Sequence, residues 1–507
     1  MRRFQKQQIQ DIVACLYDMH QEAVKKLKKK QYQAVQQYFN DCQEAAIQVG
    51  EAIEQIVGMG TEAVACLEEY CEELYQVSTQ MESMLPQEAG RQLKEILDRV
   101  DHAIKGIPVR QEAVFLPYKA SMWDSMESVF QAADADPNCD AYVIPIPYYD
   151  KNPDGSFKEE HYEGSLFPDH IPITDFRNYD FETRMPDMIY IHNPYDEYNF
   201  VTSVHPFFYS DSLKKYTPKL IYIPYFVCSE STRAENCIQK GVLNADVVVL
   251  QSNKIKNEYI KYFRDELGKV FPKNKFLALG SPKFDKVIHC EELHNSLTTR
   301  WKQRAEGRKI ILYNTHLSSF LKDGETAVKK IEAVFEHFTQ RDDVLLLWRP
   351  HPLSKATLKS MRPVLYEAYI ALEKKYLEED IGIFDDSADV YSAISVADGY
   401  YGDSSSVLSL FGVTGKPICI QNVSVAAQQE TDNYDQKIWQ AENEDYYKDY
   451  IHRENAESNK NLKNYLDYIV GQESNVDEKQ KACFLRFTKC PEGNSGEVIH
   501  KKMMEEE

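Results

Sequence analysis

The residues of this chain best suited to handling phosphate run from Asp389 to Ile418, DVYSAISVADGYYGDSSSVLSLFGVTGKPI. Ala397, Asp398, Tyr400 and Tyr401 have the step of a strand, and Val407, Leu408, Leu410 and Phe411 recur with helical spacing. Asp403, Ser404, Ser405 and Ser406 therefore fall where a strand gives way to a helix N-terminus. Such a terminus leaves backbone N–H groups unpaired and carries the positive end of the helix dipole, and the hydroxyls add donors. An anion suits that position, phosphate above all, although the same serines also serve as an ordinary N-cap.

A second cluster, Trp348-Arg349-Pro350-His351-Pro352, ends the apolar run VLLLW. Arg349 supplies a planar positive fork that fits a phosphate. His351 can donate to a phosphoryl oxygen or act as general acid toward a leaving phosphate; the structural alternative is a histidine held between two prolines in a tight turn. Asn314, Thr315, His316, Leu317, Ser318 and Ser319 follow the run KIILY and put His316 on a third polar loop. Gly280-Ser281-Pro282-Lys283-Phe284-Asp285 reads as a crossover between domains, with Lys283 able to face a cleft and Asp285 able to cap a helix. Lys119, His192 and His205 occupy loops after earlier apolar runs and complete the set of cleft candidates. No cysteine or histidine spacing of the zinc type stands out, so no metal site is expected.

The elements that must position these residues follow from the hydrophobic pattern. Residues 1–105 contain one proline, Pro86, and apolar residues from Val35 to Ile56 recur at three and four. Gly58 and Gly60 interrupt that stripe, a second runs through Val64, Leu67, Cys71 and Leu74, and a third carries Leu93, Ile96, Leu97 and Val100. This is a helical hairpin or small bundle, able to self-associate, with the solvated lysine run of residues 25–30 on its surface. From Gly106 the texture changes to short β-branched and aromatic runs alternating with amphipathic stretches. They fall at Val114–Tyr118, Ala141–Tyr149, Met188–Asn193, Leu220–Phe226, Val247–Ser252 and Phe276–Gly280, then at Lys309–Thr315, Val344–Pro350, Ile381–Asp385, Gly399–Tyr401 and Ile418–Gln421. Apolar strands separated by helices imply parallel, doubly wound sheets, whose ligands bind beyond the carboxyl ends of the strands. The expected organisation is a helical module over residues 1–105, a first Rossmann-like domain over 106–290 and a second over 291–507. Residues 150–185 read as loop, and the chain from about Glu430 onward as polar, acidic helix.

Composition bounds the partners. A net charge of −21 over 507 residues argues against nucleic acid and against strong adsorption to an anionic leaflet. No apolar run reaches bilayer-spanning length, and MRRFQKQQIQDIV lacks the apolar stretch of a signal peptide. Eleven scattered cysteines, an odd number, read as reduced thiols of a cytoplasmic protein.

Taken together, these motifs resemble the CDP-glycerol glycerophosphotransferases of teichoic-acid synthesis. That family carries R-x-H-P at a strand end, here Arg349 to Pro352, and G-x-P-[RK]-x-D between domains, here Gly280, Pro282, Lys283 and Asp285. Its later block is matched in order by Asp389, Asp398, Asp403, Ser405, Ser406, Lys416 and Pro417, with Ser404 where tyrosine is usual. The resemblance spans about residues 110–425 and is strongest after 275. It implies a GT-B-type fold, two Rossmann-like domains facing a cleft, and transfer of glycerol phosphate from CDP-glycerol to a hydroxyl of a cell-wall or surface-glycan acceptor with release of CMP. Ser404, Ser405, Ser406 and Asp403 would hold the donor phosphates, and His351 and Arg349 would serve the leaving group. No metal or cofactor beyond the donor substrate is implied. A polyol-phosphate, glycan or lipid-linked saccharide would be the acceptor, the last placing the protein peripherally at the inner face of the membrane.

One departure matters. The family's W-H-G-T-P-L-K motif, whose histidine is proposed to activate the acceptor, has no counterpart in the corresponding run Leu220-Ile221-Tyr222-Ile223-Pro224-Tyr225-Phe226. Two alternatives therefore stay open at the level of sequence: a glycosyltransferase or epimerase using a UDP-sugar, and a non-catalytic nucleotide-binding protein acting through its N-terminal helices.

Overall fold

The computed structural model describes residues 1–152, 154–199, 201–228, 234–290, 293, 295–421, 451–454, 460–472 and 476–505. They divide into two compact units. One holds Met1–Ala113, Asp134–Ala141 and Asp180–Met188; the other holds Val114–Ala133, Tyr142–Tyr179 and the chain from Ile189.

The first unit is dominated by four helices, α1 (Arg3–Lys28), α2 (Tyr32–Val57), α3 (Glu62–Gln80) and α4 (Pro86–Gly106). Each packs on the next and α1 closes against α4, so the expected hairpin or bundle is a four-helix bundle. Its core follows an alternating four-three spacing: Ile9, Val13, Leu16, His20, Ala23 and Leu27 on α1, then Val35, Phe39, Cys42, Ala46, Val49 and Ile53 on α2. That spacing keeps one seam facing the partner helices. The polar member of the seam, His20, meets Tyr70 Oη at 2.7 Å through Nε2. Ile56, expected on the buried stripe, lies in the last turn of α2 and is exposed.

Two six-stranded sheets carry the remainder. The strands of the first are β1 (Gln111–Leu116), β2 (Cys139–Val143), β5 (Met188–Ile191), β7 (Lys219–Tyr222), β8 (Val247–Leu250) and β9 (Phe276–Ala278), in the order β2-β1-β5-β7-β8-β9. The second is built from β10 (Lys309–Thr315), β11 (Val344–Pro350), β12 (Gly382–Phe384), β13 (Gly399–Gly402), β14 (Ile418–Gln421) and β15 (Ile451–Glu454), in the order β12-β11-β10-β13-β14-β15. Every pairing in the second sheet is parallel. The strands come almost where the apolar runs put them, because strands buried on both faces must be apolar throughout. Each sheet with its helices is a Rossmann-like layer, the α/β class expected.

The sequence reading erred in three places. The run Ala141–Tyr149 is two elements, because Pro145 and Pro147 lack the N–H a ladder needs. Its second half, β3 (Tyr148–Lys151), pairs antiparallel with β4 (Phe157–His161) and β6 (Thr202–Val204), so part of the presumed loop 150–185 is a small sheet. On that sheet Asp150, Glu159 and His161 approach one another, with His161 Nε2 3.1 Å from Asp150. Of the acidic helix expected from about Glu430, residues 430–450 lie outside the described residues, and Ile451–Glu454 is a strand. None of the eleven cysteines forms a disulfide. Among the described residues no helix is long and apolar enough to cross a membrane.

Candidate functional site

The second sheet brings three of the polar loops to one edge. In the parallel register Asn314 lies beside Arg349 on one side and Gly402 on the other, and Thr315 beside Pro350. Residues 316, 351 and 403–406 therefore leave adjacent strands at the carboxyl edge. Gly402 has φ +136°, and a Cβ there would overlap the Asn314 backbone. Only glycine lets the serine loop press against the Asn314 strand so closely.

Asn314 and Asp403 knit these loops together. Asn314 Nδ2 donates to the Arg349 carbonyl at 3.0 Å, and Asn314 Oδ1 accepts from Ser405 Oγ at 2.8 Å. The Asp403 N–H donates to the Asn314 carbonyl at 2.9 Å. The Asp403 carboxylate accepts from the His316 backbone N–H at 2.7 Å and from Lys330 Nζ at 2.6 Å. Lys330 and Asp403 are both buried, at 2% and 4% side-chain exposure.

The two histidines of this edge sit ring to ring, centroids 5.1 Å apart and nearly perpendicular. His316 Nδ1 accepts from the Ser318 N–H at 3.2 Å and His351 Nδ1 from the Leu353 N–H at 3.2 Å. An Nδ1 that accepts a backbone N–H leaves the ring proton on Nε2. Burial lowers both basicities, aided at His351 by its neighbour His316; His351 is pushed down to about 4. At neutral pH the pair is thus two uncharged imidazoles with Nε2–H groups, suited to hydrogen bonding a phosphoryl oxygen. As a stored general acid His351 is poor, since little of it is protonated near pH 7.

Other expected members take different places. Arg349 does not offer its fork to a ligand: the guanidinium is buried against the Asp385 carboxylate, with further bonds to Ser387 Oγ and to the Ser387 carbonyl at 2.9 Å. It anchors the loop after β12. Asp403 is likewise a brace, since a buried carboxylate committed to Lys330 and His316 would repel a phosphate. Ser405 is the N-cap of the helix Ser406–Gly412 and is bound to Asn314. Ser404 and Ser406 are the exposed hydroxyls of the turn. Asp389, Asp398 and Lys416 are structural too, bonded respectively to Tyr391 N–H, Ile310 N–H and the Ser395 carbonyl.

In the first half, Lys283 pairs with Asp124, which also accepts from Tyr391 Oη at 2.7 Å. A lysine of the crossover helix Pro282–Ile288, a carboxylate following β1 and a tyrosine following β12 thus meet at one point. Asp285 accepts from the backbone N–H groups of Ser495 and Gly496 and from Ser128 Oγ, capping the helix Ser495–Met504. His192 is fully buried: Nε2 accepts the Tyr118 N–H at 3.2 Å and Nδ1 meets Ser125 Oγ at 3.1 Å. Burial pushes it down to about 3, and with both nitrogens engaged it cannot serve as a base. His205 follows β6 of the small sheet and caps a turn through Nδ1. Lys119 Nζ lies 4.7 Å from the Tyr148 ring centroid. Where the family's histidine was sought, the chain after β7 presents Tyr225, its hydroxyl 3.1 Å from that of Tyr195.

Sequence reasoning missed Asn314 as a hub, and Lys330 and Asp385 as partners. Lys330 left a signal: it stands between Ala327, Ile331 and Val334 on the buried face of the helix Glu325–Thr339, where a lysine requires a buried carboxylate.

Rossmann-like sheets with a polar, hydroxyl-rich carboxyl edge have the architecture of nucleotide-binding α/β proteins. Residues 231–505 match the CDP-glycerol:poly(glycerophosphate) glycerophosphotransferase family, more than half of the chain, and the protein belongs to that family. It is a glycerophosphotransferase-like transferase. No curated protein sequence matches the chain. Similar solved structures include the wall teichoic acid polymerase TagF, at 14% identity over 86% of this chain and 97% of that one, with a TM-score of 0.46. Another is UDP-GlcNAc 2-epimerase from Neisseria meningitidis bound to UDP-GlcNAc, at 13% identity over 78% of this chain and 100% of that one, TM-score 0.46.

Proposed function

We propose that the protein transfers glycerol phosphate from CDP-glycerol to an acceptor hydroxyl and releases CMP. The observation carrying this reading is the fusion of three strand-end loops through Asn314 and Asp403, which puts the neutral His316–His351 pair on the same edge as Ser404 and Ser406. The acceptor oxygen would attack the phosphorus bearing glycerol. The new O–P bond forms as the bond to the bridging oxygen breaks, CMP departs with that oxygen, and the acceptor's hydroxyl proton passes to solvent or to the departing CMP phosphate. Catalysis of such transfers is chiefly positioning and charge stabilisation. The Nε2–H groups of His316 and His351 would donate to the phosphoryl oxygens, and Ser404 and Ser406 would add hydroxyl donors. Arg349, Asp403 and Lys330 would act indirectly, by holding those groups in place. The acceptor would be a polyol phosphate, a glycan or a lipid-linked saccharide, as in teichoic-acid or related surface-polymer synthesis.

A second reading, donor binding without transfer, is favoured by two observations: Tyr225 follows β7 where the histidine was expected, and His192 is locked by its own hydrogen bonds. CMP release from CDP-glycerol across a panel of acceptors separates the two. Transfer predicts acceptor-dependent CMP, strongly reduced in His351→Ala; release from no acceptor, with binding intact, would favour the second reading.

A further inference from the structure

The small antiparallel sheet has no part in the transfer chemistry, yet three metal-ligating side chains converge on it. In the β3–β4 hairpin Tyr148 stands opposite His161 and Tyr149 opposite Glu160, and the register shifts between Tyr149 and Lys151. Side chains alternate between the two faces of a strand, so Tyr148, Asp150, Glu159 and His161 share one face. The other face holds Tyr149 and Glu160, joined by donation from Tyr149 Oη to Glu160 Oε2 at 2.6 Å. On the shared face a carboxylate oxygen of Asp150, one of Glu159 and a ring nitrogen of His161 all lie within 4.8 Å of one another. His161 Nε2 and Asp150 Oδ2 are 3.1 Å apart. Two ligand atoms on a tetrahedral zinc ion, each about 2.0–2.1 Å from it, are about 3.3 Å apart. One edge of a coordination shell is therefore in place. Closing the triangle takes an inward movement of at most about 1.5 Å by the exposed Glu159 side chain.

Two further observations separate this group from a patch of surface acid. The first is the fixing of the imidazole. The Tyr148 ring stacks on His161 with centroids 5.0 Å apart, and Tyr148 Oη donates to Glu163 Oε1 at 2.7 Å. Glu163 Oε2 in turn accepts the Ala120 N–H at 2.8 Å. The ring is held from behind by contacts that run to the loop after β1, much as outer partners orient metal-ligating histidines. The second is the weak support of β4 itself. It is the edge strand of its sheet, and Phe157, Lys158, Glu159 and Glu160 are all exposed. An edge strand with no apolar face is held by its ladder alone, and here the fold also sets two carboxylates against each other. A cation ligated from both strands supplies the missing positive charge and a cross-link at once.

We propose that Asp150, Glu159 and His161 bind a divalent transition-metal ion of the zinc class, which cross-links β4 to β3. One imidazole with two carboxylates suits Zn2+ better than Mg2+ or Ca2+, which take oxygen ligands. Three protein ligands leave the remaining position to water. The Asp150 and His161 side chains are 41% and 32% exposed, so the ion enters directly from solvent. The role of the ion is structural: it steadies β4, and through it the Glu163 clamp on the loop after β1. Sequence spacing does not show the site, because Asp150 lies eleven residues from His161 and meets it across the hairpin.

Calorimetric titration of the chelator-treated, full-length protein with ZnCl2, beside MgCl2 and CaCl2, tests this, with bound Co2+ as a spectroscopic probe of the ligands. Saturable zinc binding is expected, together with a Co2+ absorption spectrum free of thiolate charge transfer. Zinc affinity should fall at least about tenfold in His161→Ala and in Glu159→Gln, and stay unchanged in Glu160→Gln on the opposite face. Hydrogen exchange of the β3 and β4 amides should slow when zinc is added to the wild type, and not when it is added to His161→Ala. Far-UV circular dichroism confirms that each variant is folded, and Glu159→Gln decides the matter should His161→Ala unfold. Equal zinc affinity in the wild type and in Glu159→Gln overturns the proposal. So does tighter binding of Mg2+ or Ca2+ than of Zn2+, thiolate ligation of the bound Co2+, or the absence of saturable zinc binding.

Discussion

Replacing Lys330 with methionine isolates the charge that holds the candidate site together. Methionine keeps the length and apolar stem, so the change removes an ammonium and opens little space. Asp403 is then a carboxylate at 4% exposure with the His316 N–H as its remaining charge-stabilising donor at 2.7 Å. Breaking a buried pair from one side costs about 3–5 kcal/mol. The loss of stability in Lys330→Met should therefore reach about 3–5 kcal/mol at pH 7. Urea unfolding followed by tryptophan fluorescence, with exchange protection of β10 and β13 as the local readout, measures it. The double variant Lys330→Met with Asp403→Leu should recover most of the loss. A penalty under about 1 kcal/mol, or a double variant no more stable than Lys330→Met, would refute the claim that a buried charge pair braces the His316 loop.

Other outcomes follow from the same geometry. His316→Ala and His351→Ala each remove an Nε2–H donor to a charged oxygen, and steady-state CMP release should fall about 10- to 100-fold in each, while far-UV circular dichroism stays unchanged. Gly402→Ala forces a Cβ into the Asn314 backbone at positive φ and should cost more than about 2 kcal/mol in unfolding midpoint analysis while abolishing donor binding. Burial holds His192 and His351 below their unfolded value of about 6.5, at about 3 and about 4. The unfolded chain therefore binds more protons below pH 6.5. Their contribution is complete above that pH and is lost as pH falls toward 4, by up to about 1.4 kcal/mol per group per pH unit. Urea midpoints that stayed flat between pH 7 and pH 5 would exclude neutral burial of these rings.

Much of the second half was legible in the sequence. Strands β10, β11 and β14 fall on the residues their apolar runs marked, because strands covered on both faces cannot alternate. The serine turn, His316 and His351 were found because polar residues after such strands have one place to go. The roles of Arg349 and Asp403 were not legible. An arginine at a strand end and an aspartate before serines look the same whether they meet phosphate or a buried partner, and those partners, Asp385 and Lys330, lie 36 and 73 residues away in the chain. The small β3-β4-β6 sheet escaped notice because β4 is mostly exposed and has no apolar face to betray it.

The central claim is that the edge built by β10, β11 and β13 binds CDP-glycerol. Calorimetric titration of the full-length protein with CDP-glycerol, with UDP-N-acetylglucosamine as the comparison ligand, tests it most directly. The account predicts selective binding of CDP-glycerol, weakened about tenfold or more in His351→Ala. Preference for the UDP-sugar, or equal CDP-glycerol affinity in the wild type and in His351→Ala, would contradict it.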